Sequence, residues 1–384
     1  MLFVQKFYCI ALLLGPIVSP AWAESDFPKE RDPYKWPFAQ NSIWNTPIGS
    51  DAVFVDAQIK PASNGAWTDQ DIIILTPDEP LMDVFPTQYT WGPKVNPETR
   101  CIKASDKPLF SLPIPASYVT RFHGRSPNHA SAVLMPDGRM LKQTQPFQVC
   151  PGGYATTKFT GVPLQDIYGD GIAGTHGGSG LSSIGGTIRV GELAKDAGPI
   201  HHALKVNLSG SENLYFDEET KGFRWPALRA DGSARKNYQG TNRACRMGAL
   251  LALPPSINVD EWGLKTEPGK RIARAFQDYG GYIVDNAGQS VFTLATEEGP
   301  AGNVREEVLK TWGFQMVDKD QTHPWVQDIE KIFTHLNVID NNGPQKIGGG
   351  GTPRQPLAPP FRSFPATTAT SNSMHTQPKE AGNE

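Results

Sequence analysis

The 384-residue sequence has no long apolar run, little cysteine, no excess of charge of either sign and no compact metal or nucleotide motif. Each absence removes a class of function. The one sustained apolar stretch, residues 7–18, is about a dozen residues long, short of the ~20 that a membrane-spanning helix needs. No membrane span is therefore expected. Basic and acidic residues nearly balance, for a formal net charge of −3, so no nucleic-acid partner and no anionic-membrane patch are expected. No Cys/His spacing resembles a zinc site. The glycines between Gly171 and Gly185 lack the Gly-Lys-Ser/Thr ending of a phosphate loop, and Gly178-Ser179-Gly180 lacks the Gly-x-Ser-x-Gly elbow of α/β-hydrolases. No metal and no cofactor are expected.

What the sequence does contain begins with a leader. Lys6, the apolar run and the small-x-small site Ala21-Trp22-Ala23 form a removable signal peptide over residues 1–23. The expected location is secreted or periplasmic. With Cys9 in the leader, Cys101, Cys150 and Cys245 remain, enough for one internal disulfide in an oxidising compartment. Cys101 and Cys150 are favoured because both lie in Pro- and Gly-rich, loop-like surroundings, whereas Cys245 precedes an apolar segment and suits a buried thiol.

Short apolar runs alternate with turn residues from Trp36 to about Leu264, the pattern of a β-rich domain. Strands are expected at residues 71–75, 130–135, 187–193, 203–208 and 249–253, with a hairpin turn at Pro136-Asp137-Gly138. Helical periodicity appears only late, over residues 270–279, 303–312 and 324–336. The expected fold is mostly β, of the α+β kind: a β-sandwich or jelly-roll-like core with two or three helices in the C-terminal third. Residues 24–340 read as one domain and a monomer. Residues 341–384, rich in Gly, Pro, Ser, Thr and Asn, read as a disordered tail.

Chemistry concentrates in three segments. The glycine-rich loop carries His176 and leads into an expected strand in which alternation sets Glu192 on a face with Ile188 and Val190. There Glu192 is either a paired structural ion or a general acid with a raised pKa. His201 and His202 precede the next strand, and only one of them can face a given pocket. The second segment packs Arg121, His123, Arg125, Asn128 and His129 ahead of the hairpin; Arg125, Asn128 and His129 suit sugar or carboxylate binding, or else form a solvated loop. The third places Trp225, Arg229 and Asp231 in a turn-rich stretch, as a stacking platform with groups that fix hydroxyls or a uronate, or as a core tryptophan beside an ordinary turn. Asp285 ends a further strand.

The segments PFAQNSIWNTPI, SSIGGTIRVGEL, PIHHALKV, WPALRADG and DYGGYIVDNAG resemble a group of secreted bacterial β-rich proteins. The resemblance implies that these segments belong to one domain and implies no catalytic assignment. By analogy with exported enzymes of this size, the expected function is cleavage of a polysaccharide substrate, as a glycoside hydrolase or a uronate lyase. The expected catalytic residues are Glu192, His202, His176 and Asp231, with Arg125, Asn128, His129, Trp225 and Arg229 binding substrate. A non-catalytic carbohydrate or cell-envelope binding protein is the main alternative. A metallohydrolase using His129, His176, His201 or His202 with Glu192 stands third.

Overall fold

A computed structural model of the protein describes residues 27–121 and 128–362. The expected leader, Arg125 and residues 363–384 lie outside the described residues. In chain order the first strands are β1 (Phe54–Asp56), β2 (Ala66–Ile74), β3 (Leu81–Pro86), β4 (Phe110–Pro113), β5 (Ser131–Leu134), β6 (Met140–Cys150), β7 (Tyr154–Phe159) and β8 (Gln165–Asp166). They are followed by β9 (Ala173–His176), β10 (Leu204–Leu208), β11 (Leu250–Ala252), β12 (Gly281–Asn286), β13 (Phe292–Gly299), β14 (Gly302–Asn303) and β15 (Asn337–Ile339). The helices are α1 (Pro97–Arg100), α2 (Ala234–Asn237), α3 (Glu267–Asp278), α4 (Val304–Trp312) and α5 (Pro324–Thr334).

The chain is mostly β, with its three longer helices in the C-terminal third. The strands follow one hydrogen-bonded path, β1-β15-β11-β12-β10-β13-β2-β5-β6-β7-β3-β4, with β14 beside β13 and β8 beside β6. Pairing along it is mixed. β12 runs parallel to β10, β13 to β2, β2 to β5, and β3 to β7, so the expected sandwich-like core takes the form of a large mixed sheet. The hairpin turn lies where its chemistry puts it, with Val133 opposite Lys142 and Leu134 opposite Leu141.

Side-chain and glycine caps bound the longer helices. Thr266 caps α3 by accepting from Gly269 N, Asn303 caps α4 by accepting from Arg305 N and Glu306 N, and α4 ends at the left-handed Gly313. Their apolar stripes, including Ile272, Phe276, Val308, Trp325, Ile329 and Phe333, bury with Leu204, Val206 and Leu294 on one face of the sheet. Full burial of each large side chain contributes roughly 1.5–3 kcal/mol. The opposite face carries a second cluster around Phe38, Trp44, Ile73, Tyr282 and Val284.

Two expectations are corrected here. Residues 187–193 are a turn-rich loop in place of a strand, with a single backbone bridge to the sheet, from Ile188 to Thr296. Carboxylates take its donors instead of a neighbouring strand: Glu192 Oε2 accepts from Arg189 N at 2.7 Å and Glu297 Oε2 from Val190 N at 2.9 Å. Residues 341–362 are not a disordered tail. They dock on the N-terminal segment, with Gly49 N donating to Gly348 O and Arg354 N to Ile48 O, and Ala358 fully buried. Glycine here permits contact: a Cβ at Gly348 would meet Pro47 O at 2.5 Å, and one at Gly349 would meet Ala52 Cα at 2.5 Å.

Candidate functional site

Four neighbouring strands, β12, β10, β13 and β2, hold the polar centre of the molecule. Asp69 and Asp71, two residues apart on β2, point to the face opposite the helices, as do Lys205 and Asn207 on β10. Between them β13 sets Thr293 beside Asn207 and Ala295 beside Asp69, and these short side chains let the longer ones meet across the strand. Asn207 Nδ2 donates to Asp69 Oδ2 at 2.9 Å, and Lys205 Nζ lies 2.8 Å from Asp71 Oδ2. On β12 a bulge shifts the register, so that Lys205 pairs with Tyr282 but Asn207 pairs with Asp285. Without the bulge Val284 would stand opposite Asn207. The shift turns the Asp285 carboxylate onto the polar face.

The glycine-rich loop closes over this face. His176 ends β9 with no exposed surface, its Nε2 3.2 Å from Asp71 Oδ1 and 3.7 Å from Asp69 Oδ2. Asp285 Oδ1 accepts from Gly178 N at 3.0 Å. A Cβ at Gly177 would meet the Asp285 carboxylate carbon at 2.2 Å, and one at Gly178 would meet Asp231 Oδ2 at 2.6 Å. Only glycine fits there, and successive Cα atoms about 3.8 Å apart place Asp231 and Asp285 side by side. Asn128 Nδ2 links two of the acids, donating to Asp69 Oδ2 at 3.0 Å and Asp285 Oδ2 at 2.8 Å. Asp231 Oδ2 accepts from the Tyr238 hydroxyl at 2.5 Å.

Burial and the charges of Asp231 and Asp69 push the Asp285 pKa well above the usual carboxylate range. Burial also raises Asp231, against the Tyr238 hydrogen bond and Arg229. Asp71 behaves oppositely: burial raises it, but Lys205 and His176 outweigh burial and hold it low. Desolvation still lowers the pKa of Lys205 despite that partner.

Of the sequence candidates, His176, Asp231 and Asn128 come together here, and exposed Arg229 joins them through Nη2 to Gly177 O at 3.4 Å. Glu192 and His202 do not. They pair with each other, Nε2 to Oε1 at 3.0 Å, while His202 Nδ1 lies 2.9 Å from Ala203 O. The void beside His202 and Arg189 measures about 10 Å³, at most the room for one water. His201 stacks on Trp36 with ring centroids 5.5 Å apart. His129 is buried with φ of +45° at the approach to β5, and Trp225 is half-buried against the second core cluster, not an open platform.

Asp69, Asp71, Lys205 and Asn207 were missed by the sequence reading. Their signal was legible in principle, since TDQDIII and LKVNL set charged or amide groups two apart inside strands that are otherwise apolar. No family model matches the sequence, and no curated protein or solved structure matches it.

Proposed function

We propose that the chain is an exported enzyme that cleaves polysaccharide by hydrolysis, with its reacting centre at the solvent edge of the carboxylate cluster. One observation carries this reading: Asp69, Asp231 and Asp285 converge, and of the three only Asp231 is more than marginally exposed, beside the exposed guanidinium of Arg229. Glycoside hydrolysis needs paired carboxyl groups that move protons and stabilise positive charge at the sugar. Asp231, fixed by Tyr238, is the group placed to exchange a proton with substrate. Arg229 is placed to bind hydroxyls or a sugar carboxylate. Asp69, Asp285 and His176 form the polar floor behind them.

Purified protein offered neutral and uronate polysaccharides should release reducing ends without absorbance from unsaturated products. Asp231→Asn should lower that rate about a hundredfold or more, as for loss of a proton-transferring group, with little change in melting temperature. Unsaturated products would replace hydrolysis by a lyase reaction, and silence across the panel would overturn the proposal. A non-catalytic carbohydrate-binding role has support of its own. Trp91 and Phe159, 40% and 52% exposed, stack with centroids 5.6 Å apart and offer a flat apolar face to a sugar ring. Binding that persists without any cleavage, and falls on Trp91→Ala, would favour that role.

A further inference from the structure

We propose that Asp69, His176 and Asp285 hold one divalent transition-metal ion. Each offers one ligand atom, and the three atoms lie within 4.8 Å of one another, all on buried residues. Metal–ligand bonds of about 2.0–2.2 Å set donors roughly 3 to 4.4 Å apart, so little closure is needed. The trio comes from three separate elements, β2, β9 and β12. It is therefore built by the tertiary fold and not by a run of acidic sequence.

Two buried side chains at the cluster carry polar atoms that lack the partners such atoms ordinarily have. His176 has no exposed surface, and its Nδ1 has no hydrogen-bond partner. Asn207 is 4% exposed, and its Oδ1 has no partner while its Nδ2 donates to Asp69 Oδ2. Both side chains lie against Asp69, His176 Nε2 at 3.7 Å and Asn207 Nδ2 at 2.9 Å from its Oδ2. The nearest fixed cation, Lys205 Nζ, is committed to Asp71 at 2.8 Å and to Ser182 O at 3.0 Å. The hydrogen bonds to Asp69 and Asp285 come from neutral donors: Asn128 Nδ2 serves both, Asn207 Nδ2 serves Asp69, and the Gly178 and Asn286 amides serve Asp285. A divalent ion would supply the balancing charge and a use for both orphaned atoms.

The donor set selects the class of ion. Magnesium and calcium favour all-oxygen shells, whereas an imidazole beside carboxylates suits zinc, manganese, iron(II) or cobalt. Asp71, 3.2 Å from the His176 ring and balanced by Lys205, supplies the carboxylate that commonly stands behind a metal-binding histidine. The approach lies on the side of Gly177, Asn128 and Asp231, which are all partly exposed.

The proposal does not depend on the polysaccharide reading, because its test uses no substrate. Full-length protein dialysed against a chelator should bind one Zn²⁺ or Mn²⁺ per chain by calorimetry and elemental analysis. At an ion concentration of 100 times Kd, mass action alone should raise the melting temperature by several degrees. Co²⁺ should give the visible absorption of a bound ion with nitrogen ligation. The near-isosteric Asp69→Asn and Asp285→Asn should each weaken binding about a hundredfold, with His176→Gln as a third variant should either fail to fold. Absence of binding by the wild type, unchanged binding in the folded variants, or tighter binding of Ca²⁺ than of Mn²⁺ would overturn the proposal. Metal binding without cleavage would retain the site and remove the polysaccharide reading; cleavage by metal-free protein that binds no ion would do the reverse.

Discussion

Glu192 and His202 form an ion pair with each other, apart from the carboxylate cluster. Burial lowers the His202 pKa, but Glu192 at 3.0 Å overrides it and the net shift is upward; burial raises Glu192, but His202 overrides that and the net shift is downward. A raised histidine contributes stability that is fully present below its unfolded pKa of about 6.5 and is lost as pH rises through the folded value. The lowered carboxylate contributes above its unfolded pKa of about 4.3 and loses that contribution as pH falls through the folded value. The pair therefore stabilises most between the two. Glu192→Gln should cost ~2 kcal/mol near pH 5.5, intermediate between exposed and buried ion pairs, and progressively less towards pH 9. Melting curves of both proteins across that range check it, and a pH-independent difference would contradict it. At this scale the sequence singled out His176, Asp231, Asn128 and Arg229 from three separate segments without placing them together, because loop chemistry is local. It missed Asp69 and Lys205 because their meaning comes from partners more than a hundred residues away.

Helices α3, α4 and α5 were legible because their apolar stripes are written within a dozen residues. The loop at residues 187–193 was not. Its alternation imitates a strand, but Glu192 and Glu297, the second from a distant strand, take the amides that a ladder would use. The segment 341–362 misled in a different way, since a glycine run that permits close packing has the same composition as a linker. A chain ended at Asp340 should melt several degrees below one ended at Arg362, because it loses the buried Ala358 and the backbone bonds from Gly49 and Arg354. Equal melting temperatures would show that the docked segment adds nothing.

For the whole molecule, the mostly-β class was legible and the order of strands was not. Parallel neighbours such as β2 and β13 pair Ala66 with Phe292, a contact that no local periodicity announces. One long-range link did show in the sequence: Cys101 joins Cys150 across a separation of 49 residues, leaving Cys245 buried and free. Loop closure of that length corresponds to about 4 kcal/mol at most. The double variant Cys101→Ser/Cys150→Ser should lose about 2–4 kcal/mol in denaturant titrations while any cleavage activity of the folded protein persists, since neither cysteine belongs to the polar centre.

The bulge in β12 also bears on when the centre comes into being. Asp69 leaves the ribosome early, His176 midway and Asp285 only in the last third, and Asp285 joins the other two only once β12 has paired with β10 in its shifted register. Contacts of such sequence separation close late in folding. A chain halted before residue 281 carries only two of the three groups, so the proposed metal-binding trio is complete only once β12 has been made and paired.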